Sequence, residues 1–409
     1  MTHTTPLAVA LLATIGVGLG TVPAARAQDI APPLEPPPPI EAPAPIEPIP
    51  VEPPPPIEPP PPVDVPPELE GQTQVETAPA AEATSGPALK ASVGVGLRAE
   101  LSMDPDRPEP TDAPVYSVGH NLRPYFHGEA FDFIKFEGNL DASTDSVQLL
   151  DAVLKLEFHE YFNIWLGRFL PPSDRANLSG PYFQNAWVYP SGVHAYPSVY
   201  AGRDEGAAIW GQLKGGVLKW QAGAFGMQGG TPDPRLAARL VFNILDPEPG
   251  YYNASTYYGS KDVLAFGGAI QHKFAGEGNP DSAADTLWNL DALFEESFAG
   301  AGTLDIEAAF YGFNGSDAGT SFFALASFVF EGKAGVGRLQ PMIRVQRAGW
   351  DDGETFSITL NGTTTPFTPP AGGDASLLTL DAGLHYIIDG HNARLAATVT
   401  HTRFEADIE

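Results

Sequence analysis

The stretch Ala91-Ser-Val-Gly-Val-Gly-Leu-Arg-Ala-Glu-Leu-Ser102 has an apolar side chain at every second position, with polar residues or glycine between them. Alternation with a period of two is typical of a β-strand whose two faces meet different surroundings. A strand of a soluble sandwich would show the same alternation. The number and the spacing of such segments therefore have to distinguish a membrane barrel from a soluble core.

Fourteen further segments show the same alternation, each of roughly the 9–11 residues that a tilted strand needs to cross a membrane. They are residues 123–130, 134–142, 149–158, 163–169, 205–213, 217–227, 235–245, 262–274, 287–298, 303–313, 321–331, 337–350, 377–386 and 393–404. Short connections such as 214–216 and 332–335 alternate with long ones such as 170–204 and 351–376, as in outer-membrane barrels. The connection 246–261 breaks this rhythm, because a short turn is expected there.

Apolar residues occupy one face of strand after strand, and the opposite face carries polar residues. In residues 235–245, for example, Leu236, Leu240 and Phe242 alternate with Arg235 and Arg239. A polar inner face repeated this often predicts a water-filled lumen. Beyond the N-terminus no stretch approaches the roughly 18 to 20 apolar residues of a spanning helix. The sequence thus predicts an all-β fold, a transmembrane antiparallel up-and-down β-barrel.

The chain before the barrel divides into two parts. Residues 1–27 are predicted to be a signal peptide, since the apolar run from Pro6 to Val22 is followed by an Ala25-Arg26-Ala27 cleavage site. Residues 28–90 form a proline-rich arm with 11 acidic residues and one basic residue, Lys90. Such a composition predicts a polyproline II spacer without a core of its own. Residues 91–409 are assigned to the barrel.

Composition excludes several classes of function. The chain of 409 residues has no cysteine and a formal net charge of −28. A disulfide framework and a thiolate metal site are thereby excluded, and nucleic acid is not expected as a partner because phosphate binding needs a basic face. The sequence offers no nucleotide-binding loop and no ligand spacing for a metal. We therefore predict no enzyme activity, no cofactor and no metal.

Several segments, taken in order, resemble one known family. They are Gly128-Glu-Ala-Phe-Asp-Phe-Ile-Lys-Phe-Glu-Gly138, Leu150-Asp-Ala-Val-Leu-Lys-Leu-Glu-Phe158, Leu166-Gly-Arg-Phe-Leu-Pro-Pro172, Asp246-Pro-Glu-Pro-Gly-Tyr-Tyr-Asn253 and Gly383-Leu-His-Tyr-Ile-Ile-Asp-Gly-His-Asn-Ala-Arg394. This order resembles the phosphate-selective porin O and P family across residues 123–404. The resemblance implies a barrel of 16 strands in the bacterial outer membrane, commonly trimeric, whose third extracellular loop folds inward to narrow the pore.

Counted from a periplasmic N-terminus, residues 170–204 are the third long loop. We predict that they form the constriction loop, with Arg175, Tyr182, Trp187 and Arg203 as candidate residues. The alternative is an external loop that packs on a neighbouring subunit. Fifteen strands are one fewer than the even number that bacterial barrels have. A closing strand is therefore expected to be missing after Glu409, and the alternative is an error in the strand count.

The predicted lumen carries both signs of charge. Candidate pore-lining residues, taken from the alternation, are Arg98, Lys135, Lys155, Arg168, Lys219, Arg235, Arg239, Arg338, Arg344, Arg394, Asp291, Asp305 and Glu307. The bases concentrate in 219–239 and 338–344, and the acids in 291–307. We interpret this as opposed basic and acidic walls with a transverse field, as in a general-diffusion pore. Selectivity for phosphate, which would need a ladder of inward Lys and Arg residues, does not follow from this pattern.

The sequence thus predicts an outer-membrane porin for passive diffusion of small hydrophilic solutes and ions, with anions such as phosphate as one candidate class. The expected partners are outer-membrane lipid, two further copies of the chain in a homotrimer, and a periplasmic or peptidoglycan partner for the arm. The alternative is a plugged barrel with a structural, envelope-tethering or ligand-binding role. A barrel enzyme or a soluble lectin-like domain is the remaining interpretation.

Overall fold

A computed structural model of the protein describes residues 3–19, 90–104, 115–143, 146–190, 193, 196, 199–228, 233–274, 284–314, 319–350, 356–360, 363–367 and 375–406. The predicted arm lies outside the described residues, apart from Lys90. No helix among the described residues is long and apolar enough to cross a membrane.

Sixteen long strands of the described residues form one closed antiparallel sheet. Each pairs with its neighbours along the chain, and β1 closes the ring by pairing with both β19 and β2. The long strands are β1 (His3–Leu19), β2 (Lys90–Asp104), β3 (Val115–Phe131), β4 (Ile134–Ser143), β5 (Val147–His159), β6 (Phe162–Phe169), β7 (Asp204–Leu213), β8 (Leu218–Phe225), β9 (Arg235–Asn243), β10 (Val263–Lys273), β11 (Asp285–Phe298), β12 (Gly302–Asn314), β13 (Gly319–Phe330), β15 (Gly337–Trp350), β18 (Ala375–Asp389) and β19 (Ala393–Ala406). The two-residue β14 (Lys333–Ala334) pairs with β15, β16 (Phe356–Leu360) pairs with β17 (Thr363–Phe367) in a separate hairpin, and α1 (Arg175–Ser179) is a short helix.

The predicted fold is confirmed, and each of the fifteen predicted strands is present. The sixteenth strand lies in the N-terminal segment of the chain, whereas it was expected after Glu409. Backbone pairing places Leu12 of β1 between Ala396 of β19 and Glu100 of β2. The signal peptide, whose predicted residues include this strand, stays a prediction.

Side chains alternate between a buried inner face and an exposed, apolar outer face. In β9 the side chains of Arg235, Arg239 and Asn243 are buried, whereas Leu240 and Phe242 are 61% and 50% exposed. Apolar side chains exposed over a whole barrel would be unfavourable in water, but they suit contact with lipid.

The two ends of the barrel differ in their connections. At the end that we call the short-turn end, β3–β4, β5–β6 and β7–β8 are joined by short turns, the last of them Lys214–Gly216. Lys214 and Gly215 adopt positive φ angles of 52° and 66°, which fits the tight reversal between β7 and β8. The opposite end, the long-loop end, carries the connection between β6 and β7. The connection between β9 and β10 lies at the short-turn end although it is long.

Candidate functional site: the lumen and its two inserted loops

The connection between β6 and β7, residues 170–203, enters the barrel from the long-loop end, and we call it the first inserted loop. Asp174 caps α1 near its start by accepting hydrogen bonds from the backbone N–H groups of Ala176 and Asn177. The Trp187 indole N–H donates to Glu100 of β2 at 3.0 Å. The loop also contacts β3, β11 and β13 through the pairs Tyr182–Asn121, Tyr196–Asn289 and Asn185–Ser327. It therefore spans the lumen from one wall to the other.

All four candidate residues of the constriction loop lie inside the barrel. The exposed fractions of Arg175, Tyr182, Trp187 and Arg203 range from 0% to 5%. The Arg98 guanidinium lies 4.1 Å from the centre of the Trp187 ring, which is cation–π distance. These four residues are thus buried within the chain's own barrel, and their role in a constriction stays a prediction.

The connection between β9 and β10, residues 244–262, enters from the short-turn end, and we call it the second inserted loop. Its base is closed where Asp246 N–H donates to the Asp262 carbonyl at 2.8 Å, and Asp262 N–H donates to the Asp246 carboxylate at 3.0 Å. Gly250, with φ of 93°, supplies a backbone conformation that other residues rarely adopt. The Lys219 and Gln221 side chains of β8 donate to the backbone carbonyls of Tyr252 and Tyr251. The loop therefore turns inward along the wall.

The two inserted loops meet in the lumen, where an ion pair joins them together with hydrogen bonds such as that from the Tyr251 hydroxyl to the Leu170 carbonyl at 3.0 Å. The Arg175 guanidinium donates two hydrogen bonds to the Glu248 carboxylate, at 2.7 and 2.5 Å, and a third to the Ala254 carbonyl at 2.7 Å. Glu248 also accepts the Tyr257 hydroxyl. Both partners are 1% exposed. Because a buried charge left without its partner is strongly unfavourable, this pair couples the positions of the two loops.

A group of buried acids on the wall also anchors the second inserted loop. Glu295 of β11 accepts the backbone N–H groups of Tyr257 and Gly259 at 2.6 and 2.7 Å. Glu307 of β12 accepts the Ser255 hydroxyl at 3.1 Å. Glu307, a predicted pore-lining residue, and Glu295 thus both hold the second inserted loop. The described residues contain no group of His, Asp or Glu side chains arranged to hold a metal ion.

Nine of the ten candidate pore-lining bases lie on the inner face, and five of them pair with acids. Arg239 donates to Asp291 at 2.6 and 2.9 Å, and Arg344 donates to Asp381 at 2.8 Å. Lys135, Lys155 and Arg235 pair with Glu157, Glu137 and Asp204. Arg98, Lys219, Arg338 and Arg394 donate to backbone carbonyls of the inserted loops. The lumen therefore has a polar wall with mostly neutralised charge.

Two predictions about the lumen are wrong. Arg168 lies on the outer face of β6, where it pairs with Glu205 of β7 at 3.1 Å, because its neighbours Trp165 and Phe169 take the inner face. The basic and acidic walls are also adjacent and not opposed. Lys219 lies on β8 and Arg239 on β9. Asp291 lies on β11, which is separated from β9 only by β10. A transverse field between opposite walls does not follow from this arrangement.

Aromatic side chains on the inner face of β6 and β7 were missed by the sequence analysis. The Trp165 ring stacks on Tyr251 of the second inserted loop with 4.5 Å between ring centres. Trp210 packs edge-on against both rings at 5.8 and 6.0 Å. Phe169 adds a further edge contact with Tyr251. The inner face is apolar here because it contacts the inserted loop.

The pKa values of two carboxyl groups on the inserted loops are shifted in opposite directions. Burial raises the pKa of Asp174 to about 6, against the hydrogen bond from the Tyr311 hydroxyl, and Asp291 adds to the rise. Burial also acts to raise the pKa of Glu248, but the Arg175 guanidinium overcomes it and lowers the pKa to about 2. The stability due to the Glu248 pair is therefore present above the ordinary carboxyl pKa, and it is lost as the pH falls towards about 2.

The raised pKa of Asp174 predicts a pH-dependent effect of Asp174→Asn. A buried carboxyl with a raised pKa costs stability once the pH rises through its ordinary pKa towards about 6. The Asn variant keeps a side chain that caps helices well, and it does not ionise. We expect near-equal stability of the two proteins at pH 4, and an advantage of the variant on the order of 2 kcal/mol at pH 8.

The measurement is the urea midpoint of the detergent-folded barrel at both pH values. Asp389→Asn, at an exposed position beside the β18–β19 turn, serves as the control and should shift neither midpoint. A difference between D174N and wild type that does not change with pH would contradict the prediction.

Comparisons with known proteins were made by sequence and by structure. No family model and no curated protein matches the chain. Solved structures that it resembles include an anion-selective porin from Comamonas acidovorans, with 12% identity, a TM-score of 0.45 and coverage of 78% of this chain and 100% of that one. Pseudomonas putida OprB has 10% identity, a TM-score of 0.44 and coverage of 78% and 93%. Salmonella typhi OmpF has 10% identity, a TM-score of 0.43 and coverage of 78% and 98%.

The barrel architecture of this chain rests on its own strand pairing and on the alternation of its inner and outer faces. The finer assignment to the phosphate-selective porin O and P family stays a prediction.

Proposed function

We propose that the protein is a bacterial outer-membrane porin that lets small hydrophilic solutes and ions diffuse through narrow passages beside the two inserted loops. The observation that carries this proposal is the first inserted loop, which crosses a lumen walled by paired charges. Such a loop narrows a barrel of sixteen strands, and the polar wall keeps the remaining space wet. By the usual orientation of such barrels, the short-turn end faces the periplasm.

We expect only weak preference for anions or cations. Selectivity comes from unpaired charges that line the pore, and most lumen bases here are held by acids. The four bases bound to loop carbonyls share the lumen with the buried acids Glu295, Asp305 and Glu307 on β11 and β12. Phosphate selectivity, which the family resemblance implies, would need a longer row of free bases. A homotrimer and a periplasmic or peptidoglycan partner for the arm remain part of the proposal.

The test is single-channel recording of the purified, full-length protein in a planar bilayer under a salt gradient. We expect stable conductance steps, smaller than those of a barrel of this size with an empty lumen, and a reversal potential close to zero. A large reversal potential of either sign would overturn the expectation of weak selectivity. Absence of conductance from a folded, heat-modifiable barrel would overturn the channel.

A second candidate function is a plugged barrel with a structural or ligand-binding role. The observation that favours it is the Arg175–Glu248 pair, which joins loops from opposite ends in the middle of the lumen. A barrel closed in this way would be silent in the bilayer recording, so the same experiment distinguishes the two functions.

A further inference from the structure

An arginine side chain, Arg347 of β15, lies on the outer face of the barrel among apolar residues. It continues the outward row of Ile343 and Val345, which are 53% and 37% exposed, and is itself partly exposed. Strand pairing places it opposite Phe322 of β13 on one side and Leu378 of β18 on the other, both also exposed. Because β15 runs towards its long connection to β18, Arg347 lies near the long-loop end.

The Arg347 side chain is directed towards the edge of the barrel. Gly349 is the next outward position towards the long-loop end, and a Cβ atom there would lie 3.0 Å from Arg347 Nη1 and 3.4 Å from Arg347 Cζ. The guanidinium therefore lies over Gly349, in space that a larger residue would occupy. Thr320 of β13 pairs with Gly349 and is exposed beside it. Basic side chains on a lipid-facing surface extend in this way towards the polar head groups.

Two outward arginines at the long-loop end differ in their partners. Arg168 of β6 donates to the Glu205 carboxylate and to the Leu149 carbonyl, both at 3.1 Å. The Arg347 guanidinium has no hydrogen bond or ion pair with any residue that the structure describes. A guanidinium carries five N–H donors and keeps its charge. At the edge of a lipid-facing surface it therefore needs an anionic acceptor from outside the described chain.

A second base lies at the same level of the outer face. Arg403 of β19 pairs with Leu378 from the side opposite to Arg347. The usual spacing of neighbouring strands puts the Cα atoms of the two arginines about 10 Å apart. Guanidinium groups match the geometry of phosphate oxygens and can donate two hydrogen bonds to one group. The positive charge and the apolar surroundings together suit a ligand with a phosphate head and apolar chains.

We infer that Arg347 binds the phosphate group of an anionic lipid at the long-loop end of the barrel. The guanidinium donates to the phosphate oxygens, and Arg403 adds positive charge beside them. The acyl chains of the lipid pack on the exposed side chains of Val345 and Leu378. The inference rests on the proposed function only because that function places the barrel in a membrane. Lipid binding on the outer face requires no conductance.

The test is native mass spectrometry of the folded, full-length protein in detergent, titrated with dioleoylphosphatidylglycerol or with zwitterionic dioleoylphosphatidylcholine. We expect wild type to bind the anionic lipid more tightly. Arg347→Gln should weaken its binding about tenfold, the effect of losing a hydrogen bond to a charged group. Arg347→Lys keeps the charge and should retain most of the affinity. Arg168→Gln removes an outward arginine that already has an acidic partner, and this matched control should bind like wild type.

Equal affinities of R347Q and R168Q for the anionic lipid would overturn the inference, as would equal binding of both lipids by wild type. Displacement of the anionic lipid by an equal concentration of inorganic phosphate would assign the site to free phosphate and overturn the lipid. A changed oligomeric mass of R347Q with unchanged lipid binding would assign the guanidinium to a contact between copies of the chain, with the same consequence.

The conductance of R347Q in planar bilayers separates this inference from the proposed function. Because Arg347 lies outside the lumen, R347Q should conduct like wild type. Conductance of wild type without a preference for the anionic lipid would remove this site alone. A preference for the anionic lipid that depends on Arg347, in a barrel that does not conduct, would support the site and remove the channel alone.

Discussion

Replacing Glu248 with alanine is expected to loosen the contact between the two inserted loops and to raise the single-channel conductance above that of wild type. Glu248 holds the Arg175 guanidinium with two hydrogen bonds, and both side chains are 1% exposed. Removing one partner of a buried pair costs roughly 3–5 kcal/mol, because the other charge stays buried without compensation. Arg175 has another carboxylate, Asp291, at 4.0 Å, but not within hydrogen-bond distance. The loops should therefore separate or rearrange.

Conductance in planar bilayers and the urea midpoint in detergent measure the two effects. The double variant with Arg175→Leu and Glu248→Leu removes both charges. We expect its loss of stability to be smaller than the summed losses of the two single variants, Arg175→Leu and Glu248→Leu. Glu205→Ala breaks the pair with Arg168 on the outer face and should leave conductance unchanged. Wild-type conductance and wild-type stability of E248A would show that the pair does not hold the loops.

The barrel was predictable because its strands alternate between an apolar outer face and an inner face that is mostly polar. Polar and apolar residues therefore alternate along each strand. In β9, for example, Arg235 points inward and Leu236 points outward. The first inserted loop was predictable from its length, its place in the rhythm of turns and the family resemblance. Its aromatic residues and Arg175 were named as candidates on that basis.

The exceptions lie where the inner face contacts protein. Trp165 and Phe169 are bulky and apolar, so a rule that expects polar residues inside assigned Arg168 to the lumen. Asn163 is a buried polar residue two positions before Trp165, so the two side chains lie on the same face of the strand. This spacing could have shown that Trp165 points inward and Arg168 outward. The alternation predicts which residues share a face of a strand. It does not predict whether that face contacts lipid, water or another part of the protein.

The course of the second inserted loop was not predictable. Its signals were the break in the rhythm of turns and four tyrosines, Tyr251, Tyr252, Tyr257 and Tyr258, within one connection. Tyrosine pairs an apolar ring with a hydroxyl that needs a partner, and such residues often lie at buried, partly polar contacts. The pair that fixes the loop joins residues 73 positions apart, and no local pattern marks such a contact.

The Gly267→Leu variant should lose roughly 3–5 kcal/mol of stability, because it separates a buried ion pair. Gly267 of β10 lies directly opposite Asp291 of β11, and Arg239 of β9 reaches across it to bind that carboxylate at 2.6 and 2.9 Å. A Cβ atom at position 267 would lie 2.5 Å from both Arg239 Nη2 and Asp291 Oδ1. Glycine in a strand interior often marks such a close approach.

The matched control is Gly268→Ala on the outer face, where the nearest atom is the flexible end of Leu290 at 3.2 Å. Both variants add a side chain to the same strand, but only the one at position 267 meets the ion pair. The urea midpoint of the folded barrel measures the loss, and G268A should stay close to wild type. Equal midpoints for G267L and G268A would mean that the Arg239–Asp291 pair adds little to stability. Asp291 also lies 3.4 Å from the Arg175 backbone N–H, so G267L is further expected to loosen the start of the first inserted loop and to make the conductance unsteady.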